Sequence, residues 1–186
     1  MVEALRNALN EADFNAAAMA EETVAVWKDD APANAETMTR SKLRNFTKKK
    51  KAWAEFEMGS RYSCGRGGLH QSDKEAIKWL AKAARQGYAK AQGQLGLLYQ
   101  LGRCVPQSDQ KAMEYNELSA RQGFAGAEHS LGLMFYLGQG IEKDWNKARD
   151  WWTRAASQGY QDASKNLQEL DEEERNKSPK IESHLL

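Results

Sequence analysis

The chain has few of the residues that cross-link or interrupt a fold. Its 186 residues include two cysteines, Cys64 and Cys104, and three prolines. The two cysteines lie 40 residues apart in unlike surroundings, which excludes a disulfide framework. Free thiols in a reducing compartment such as the cytoplasm are the expectation. No apolar run approaches the roughly 18 residues of a membrane-spanning helix. The opening MVEALRNALNEADFNAAAMA lacks a basic stretch followed by an apolar core. No signal peptide is therefore read, a removed targeting segment being the alternative. A net charge of +1 gives no general attraction to nucleic acid or anionic membranes.

Motifs of catalysis are equally scarce. G-x-x-x-x-G-K-[ST], H-E-x-x-H, C-x-x-C and G-x-S-x-G are all missing. Gly65-Arg66-Gly67-Gly68 is glycine-rich, but it follows a helical pattern where a cofactor loop follows a strand. His70, His129 and His184 show no metal-ligand spacing. The expectation is no catalytic residue, no metal, no cofactor and no small-molecule substrate.

What the chain does have is a repeat. Thirty-six residues after Leu95-Gly96, Gly102, Lys111-Ala112, Tyr115, Ala120 and Gly123 come Leu131-Gly132, Gly138, Lys147-Ala148, Trp151, Ala156 and Gly159. Upstream, Met58-Gly59, Gly65, Ala76, Trp79, Ala84 and Gly87 fill the same slots, the first part offset by 37. A fixed period of this size marks stacked helical hairpins. Ala91, Leu95, Leu98 and Tyr99 make one apolar face of a first helix, and Gly102 ends it. Ser108 or Asp109 can cap a second helix burying Ala112, Met113, Tyr115, Ser119 and Ala120. The recurring Asp73, Asp109 and Asp144 are read as such caps, and Trp79, Tyr115 and Trp151 as core. Gly59, Gly96 and Gly132 leave room for a close helix approach. A hairpin cannot cover its own apolar face, and stacking does so, giving an all-α, right-handed α-solenoid.

The spacing predicts helices near 2–28, 36–64, 73–86, 91–101, 109–122, 127–137, 145–158 and 161–174, with no strand. The domain reading is a helical hairpin extension over 1–52 and three repeats over 53–160 (about 54–90, 91–126 and 127–162). A capping helix over 161–175 and a disordered tail over 176–186 follow. The acidic run Asp171 to Glu174 sets a frayed end to that cap. Charge is segregated at the front: residues 1–36 carry eight acids and two bases, residues 37–52 seven bases and no acid. Lys48, Lys49, Lys50 and Lys51 are read as a solvated or internally paired face. The alternative is an electrostatic patch for RNA or acidic lipid over 40–51.

The pattern A-x-x-x-L-G-x-x-Y-x-x-G, followed by V, D, K-A, an aromatic, A-A and x-x-G, resembles the Sel-1-like repeat, a branch of the tetratricopeptide-like helical repeats. Three departures are visible: Asp144 stands one place early, Asn116 replaces Leu80 and Trp152, and Arg61 replaces Leu98 and Met134. The resemblance implies a concave face lined by the first helix of each repeat. Trp53, Phe56, Ser60, Lys90, Leu97, Gln100, His129, Leu133 and Tyr136 fall on it, with small Gly93 and Gly126 beside them. It also implies a non-catalytic adaptor, scaffold or accessory subunit, whose partner is a helix or extended peptide of another protein. Such a partner could in turn bring the chain to a membrane. Alternatives are an inhibitor or immunity-type protein that occludes a partner's active site, and a hydrolase of the kind attributed to cysteine-rich relatives. The chain's own N-terminal helix filling the groove is a further possibility.

Overall fold

The computed structural model describes residues 31–177. The expected helix over 2–28, and the expected tail beyond its first two residues, lie outside the described residues. Those two, Asn176 and Lys177, belong to the last helix and not to a tail. Among the described residues there are eight α-helices and no strand. They are α1 (Arg40–Lys48), α2 (Ala52–Cys64), α3 (Asp73–Arg85), α4 (Ala89–Leu101), α5 (Asp109–Arg121), α6 (Ala125–Leu137), α7 (Trp145–Ser157) and α8 (Gln161–Lys177). Pairs α2/α3, α4/α5 and α6/α7 form hairpins, and each second helix also packs on the first helix of the next hairpin. The result is a helical solenoid.

The second helices begin where a side chain can satisfy an exposed amide. Ser72 accepts from Glu75 N, Ser108 from Lys111 N and Asp144 from Lys147 N. These caps stand 36 residues apart, so Asp144 is in register. Asp73 and Asp109 are the first helical residues, where a carboxylate favours the positive helix end. They are not the caps expected of them.

The seam inside each hairpin is set by small against large. A Cβ on Gly59 would lie 2.9 Å from Leu80 Cγ, one on Gly96 2.4 Å from Asn116 Oδ1, and one on Gly132 2.3 Å from Trp152 Cδ1. The three facing residues share one slot of the second helix, so the Asn116 departure is a change of what sits on the glycine. Tyr115 is buried as expected. Trp79 and Trp151 are only half-buried, and their rings carry Lys82 Nζ at 4.2 Å and the Arg154 guanidinium at 4.5 Å.

The single helix expected over 36–64 is instead a short 3-10 turn (Ala35–Thr37), α1 and α2. The break falls at Lys50, whose φ is +53°. Lys50 takes the slot of Gly87, Gly123 and Gly159, at φ +79°, +81° and +84°, each of which ends a second helix. Its hydrogen bonds are theirs as well. Lys50 N reaches Thr47 O at 3.0 Å as Gly87 N reaches Ala84 O at 2.9 Å, and Lys51 N reaches Phe46 O as Tyr88 N reaches Ala83 O. Helix α1 is thus the second helix of an incomplete repeat, with a lysine in a conformation that costs a non-glycine residue about 1–2 kcal/mol.

Arg61, the other departure, anchors the incoming chain. It is 3% exposed and donates to Glu57 Oε1 at 2.7 Å, Met38 O at 2.7 Å, and Ala35 O and Glu36 O at 3.0 Å. Leu98 and Met134 in its slot meet side chains. Arg61 meets the carbonyls of the 3-10 turn and its exit, where helical hydrogen bonding runs out; the Ala35 carbonyl accepts from Met38 N at 3.3 Å as well.

Two measurements follow from this packing. Gly132→Ala is expected to destabilise by about 1–3 kcal/mol, because the Trp152 ring must move off the seam; a urea midpoint equal to that of the parent would show the glycine to be incidental. Arg61→Leu inserts the residue of the next repeat but removes the side-chain donor from Glu57 and from the carbonyls of Ala35, Glu36 and Met38. A loss of about 3–5 kcal/mol is expected in denaturant unfolding, and a neutral outcome contradicts the anchoring role.

Candidate protein-interaction site

The face in question is carried by α2, α4, α6 and α8, so what fixes these helices fixes the site. One device recurs in every repeat. The glutamine after each second helix reaches back to a buried polar residue near the start of its own first helix. Gln86 Nε2 donates to Glu55 Oε2 at 2.5 Å, Gln122 to Gln92 Oε1 at 2.7 Å and Gln158 to Glu128 Oε2 at 2.7 Å. Glu55, Gln92 and Glu128 are 5%, 2% and 1% exposed. The signal is in the sequence, since Gln86, Gln122 and Gln158 keep the 36-residue period.

Burial raises the pKa of both glutamates, against the opposing pull of Lys82 on Glu55 and of Arg154 on Glu128. Arg154 Nη2 lies 3.0 Å from Glu128 Oε1.

Of the residues expected on the concave face, Trp53 is not there. It is 3% exposed and packs 4.9 Å from the Phe46 ring, because α1 covers the start of α2. Phe56 is half-buried against Tyr88, with centroids 5.3 Å apart. Lys90 is half-buried.

In the third repeat the expected groove meets α8. His129 is half-buried, 3.0 Å from Asn166 Nδ2 and with its ring 4.9 Å from that of Tyr160. Burial lowers its pKa, and Asp162 opposes that. Tyr136 hydrogen-bonds Glu173, which raises the phenol pKa, and packs 5.4 Å from the Trp152 ring. Leu133 joins the same cluster as Leu167 and Leu170. These positions are the bed of the capping helix. The acidic run does not fray it either, since Arg149 pairs with Asp171 and, at 2.8 Å, with Glu174 Oε2.

What stays open lies further along the first helices. Among the described residues the exposed large hydrophobics are Leu97, Leu101, Leu137 and Ile141. Leu97 is 44%, Leu101 62% and Leu137 53% exposed. Gln100 Nε2 donates to Gln139 Oε1 at 2.8 Å, tying the ends of α4 and α6 side by side. Ser60 is half-buried beside Arg66 Nη2, 3.5 Å away. Lys48, Lys49, Lys50 and Lys51 are all exposed, around the turn after α1. Cys64 and Cys104 are exposed free thiols, as expected. Among the described residues no three His, Cys, Asp or Glu side chains could hold a metal ion. No helix among them is long and apolar enough to cross a membrane.

The repeat unit also matches a known family: the Sel1 repeat, over residues 54–88, 89–124 and 125–160. The chain belongs to the Sel1 repeat family. A Sel1 repeat protein from Oxalobacter formigenes is 37% identical, with a TM-score of 0.63 over 69% of this chain and 96% of its own. A protective antigen present in uropathogenic Escherichia coli strains, displaying an SLR fold, is 32% identical with a TM-score of 0.62. That match covers 66% of this chain and 26% of the antigen. No curated protein matches the chain. Sel1 repeats are in general protein–protein interaction modules.

The buried glutamates give a pH test with a fixed sign. A folded-state pKa above the unfolded one stabilises below the unfolded value, about 4.3, and that contribution is lost as pH rises through the folded value. Glu128→Gln puts at position 128 the residue that Gln92 already supplies in the second repeat. Its stability relative to the parent is expected to improve between about pH 4 and about pH 7. Parallel stability–pH curves for the two proteins would dismiss the burial argument.

Proposed function

We propose that the chain is a non-catalytic interaction module, an adaptor or accessory subunit of a larger assembly, that binds another protein through the first-helix face of its repeats. The observation that carries this reading is the exposure of Leu97, Leu101 and Leu137 on α4 and α6, whose ends Gln100 and Gln139 hold side by side. A solvent-facing surface has no use for three leucines on neighbouring helices, and such a patch marks an association site. Family membership supports the class of function. The site itself is narrower than the nine residues the sequence points to: Leu97, Gln100 and Ser60 belong to it, while Trp53, His129 and Tyr136 serve packing and the cap.

The test separates the two groups. Leu97→Glu with Leu137→Glu should leave the melting temperature unchanged, because both side chains are exposed, and should abolish capture of the partner from a native extract. Tyr136→Glu should lower the melting temperature, since it sets a carboxylate beside Glu173. Retained capture by the double variant would remove this face from consideration.

A further inference from the structure

Resting on that reading, we propose that in the free protein the leucine patch is covered by the chain's own residues 178–186, which a partner must displace. The segment lies outside the described residues. Three observations carry the proposal: where α8 ends, what the following residues contain and what borders the patch.

The cover that α8 gives to α6 runs out at Leu137. Leu133, one turn earlier on the same stripe, is half-buried in the cluster that holds Leu167 and Leu170 of α8. Further along α8 comes Glu173, hydrogen-bonded to the Tyr136 hydroxyl. Leu137 is left 53% exposed, and Leu101, in the same slot one repeat earlier, 62%. Helix α8 ends at Lys177, four residues or about 6 Å past the residue that touches Tyr136. The chain therefore leaves the helix close to the uncovered leucine. Residues 1–30 join ahead of α1, at the opposite end of the solenoid.

Pro179 bars α8 from continuing. Residues 178–186 then hold three large apolar side chains, Ile181, Leu185 and Leu186. Ile181 and Leu185 are four apart, which puts them on one face of a helix and on one face of an extended chain alike. At about 3.3 Å per extended residue, Ile181 can stand up to about 13 Å from Lys177 and Leu185 up to about 26 Å. Both exceed the distance of about 6 Å back to the level of Glu173.

Charge of both signs borders the patch. Lys143 Nζ lies 5.4 Å from the Tyr136 ring centroid, and Glu173 is on the Tyr136 hydroxyl. Arg103 is exposed two residues past Leu101, with Asp73 acting on the adjacent Cys104 thiol. An apolar segment without net charge suits such a border, and residues 178–186 carry one base, Lys180, and one acid, Glu182. A tether this short supplies the segment at an effective concentration of about millimolar, so a weak contact suffices. A partner binds only the uncovered fraction, and its apparent affinity is lowered by that fraction.

The experiment is methyl NMR on the full chain. Isoleucine occurs three times, as Ile77, Ile141 and Ile181, so the Ile181 methyls are read directly. Nuclear Overhauser contacts from them to Leu137 or Leu101 methyls are expected. Leu137→Glu should return Ile181 and Leu185 to unfolded-chain shifts at an unchanged melting temperature. Ile181→Ser with Leu185→Ser and Leu186→Ser should move the Leu101 and Leu137 methyls and leave those of buried Leu95 in place. A synthetic peptide of residues 178–186 should restore the parent shifts in that triple variant. It should bind at least about tenfold more weakly to the parent, whose site is filled. Ile181 and Leu185 at unfolded-chain shifts in the parent would overturn the proposal, as would contacts seen only between differently labelled copies. Partner capture by that parent, lost with Leu97→Glu and Leu137→Glu, would then leave the interaction face standing without a cover. Contacts to Leu137 together with capture that the double variant retains would keep the cover and overturn the partner site.

Discussion

Everything in this molecule depends on how closely the two helices of a hairpin approach. At Gly59, Gly96 and Gly132 there is no room for one more carbon atom, and the opposing side chains Leu80, Asn116 and Trp152 fill the space that a Cβ would take. A glycine in a helix interior costs about 1 kcal/mol relative to alanine. The close seam offsets that cost with dense contact, and it sets the distance between the two helices of each hairpin. The glutamine pins on Glu55, Gln92 and Glu128 then hold the far end of each hairpin, so the helices are fixed at two points along their length.

Most of the fold was legible because it is periodic. Three copies in register name the hairpins, the tight glycines and the capping turns, and the three visible departures each mark something the structure uses. Arg61 anchors the incoming segment, Asn116 changes the partner of Gly96, and Asp144 turns out to occupy the true cap slot. What periodicity could not supply was the break at Lys50. A lysine in the left-handed region reads locally as one more helical residue, and only the surrounding hydrogen bonds reveal a turn built like those at Gly87 and Gly123.

The site was legible in outline only. Helical spacing puts Leu97, Leu133 and Tyr136 on one face, but it cannot say which neighbour covers each of them. Helix α8 takes His129 and Tyr136, and α1 takes Trp53, since both ends of a solenoid need covering. Leu101 and Leu137 are left open as well. They sit at the last turn of their helices, where a pattern written from the middle of the helix drifts off the exposed edge.

The middle hairpin has a further consequence. Asn116 is fully buried in the slot of Leu80 and Trp152, its Nδ2 finds only the Met134 sulfur at 3.8 Å, and its Oδ1 has no hydrogen-bond partner. The apolar core divides near this point. One cluster runs from Ala35 to Tyr115 with Met134 added, and another gathers Trp152 with the third repeat and α8. In a chain of nearest-neighbour contacts, cooperativity is only as strong as the weakest coupling. A small third cluster of Ala120, Ala127 and Leu131 joins the two, sharing Met113 with the first and Trp151 with the second. The hairpin that carries Leu97 and Leu101 is thus the one whose seam loses least on opening, because water can satisfy the amide that the core does not.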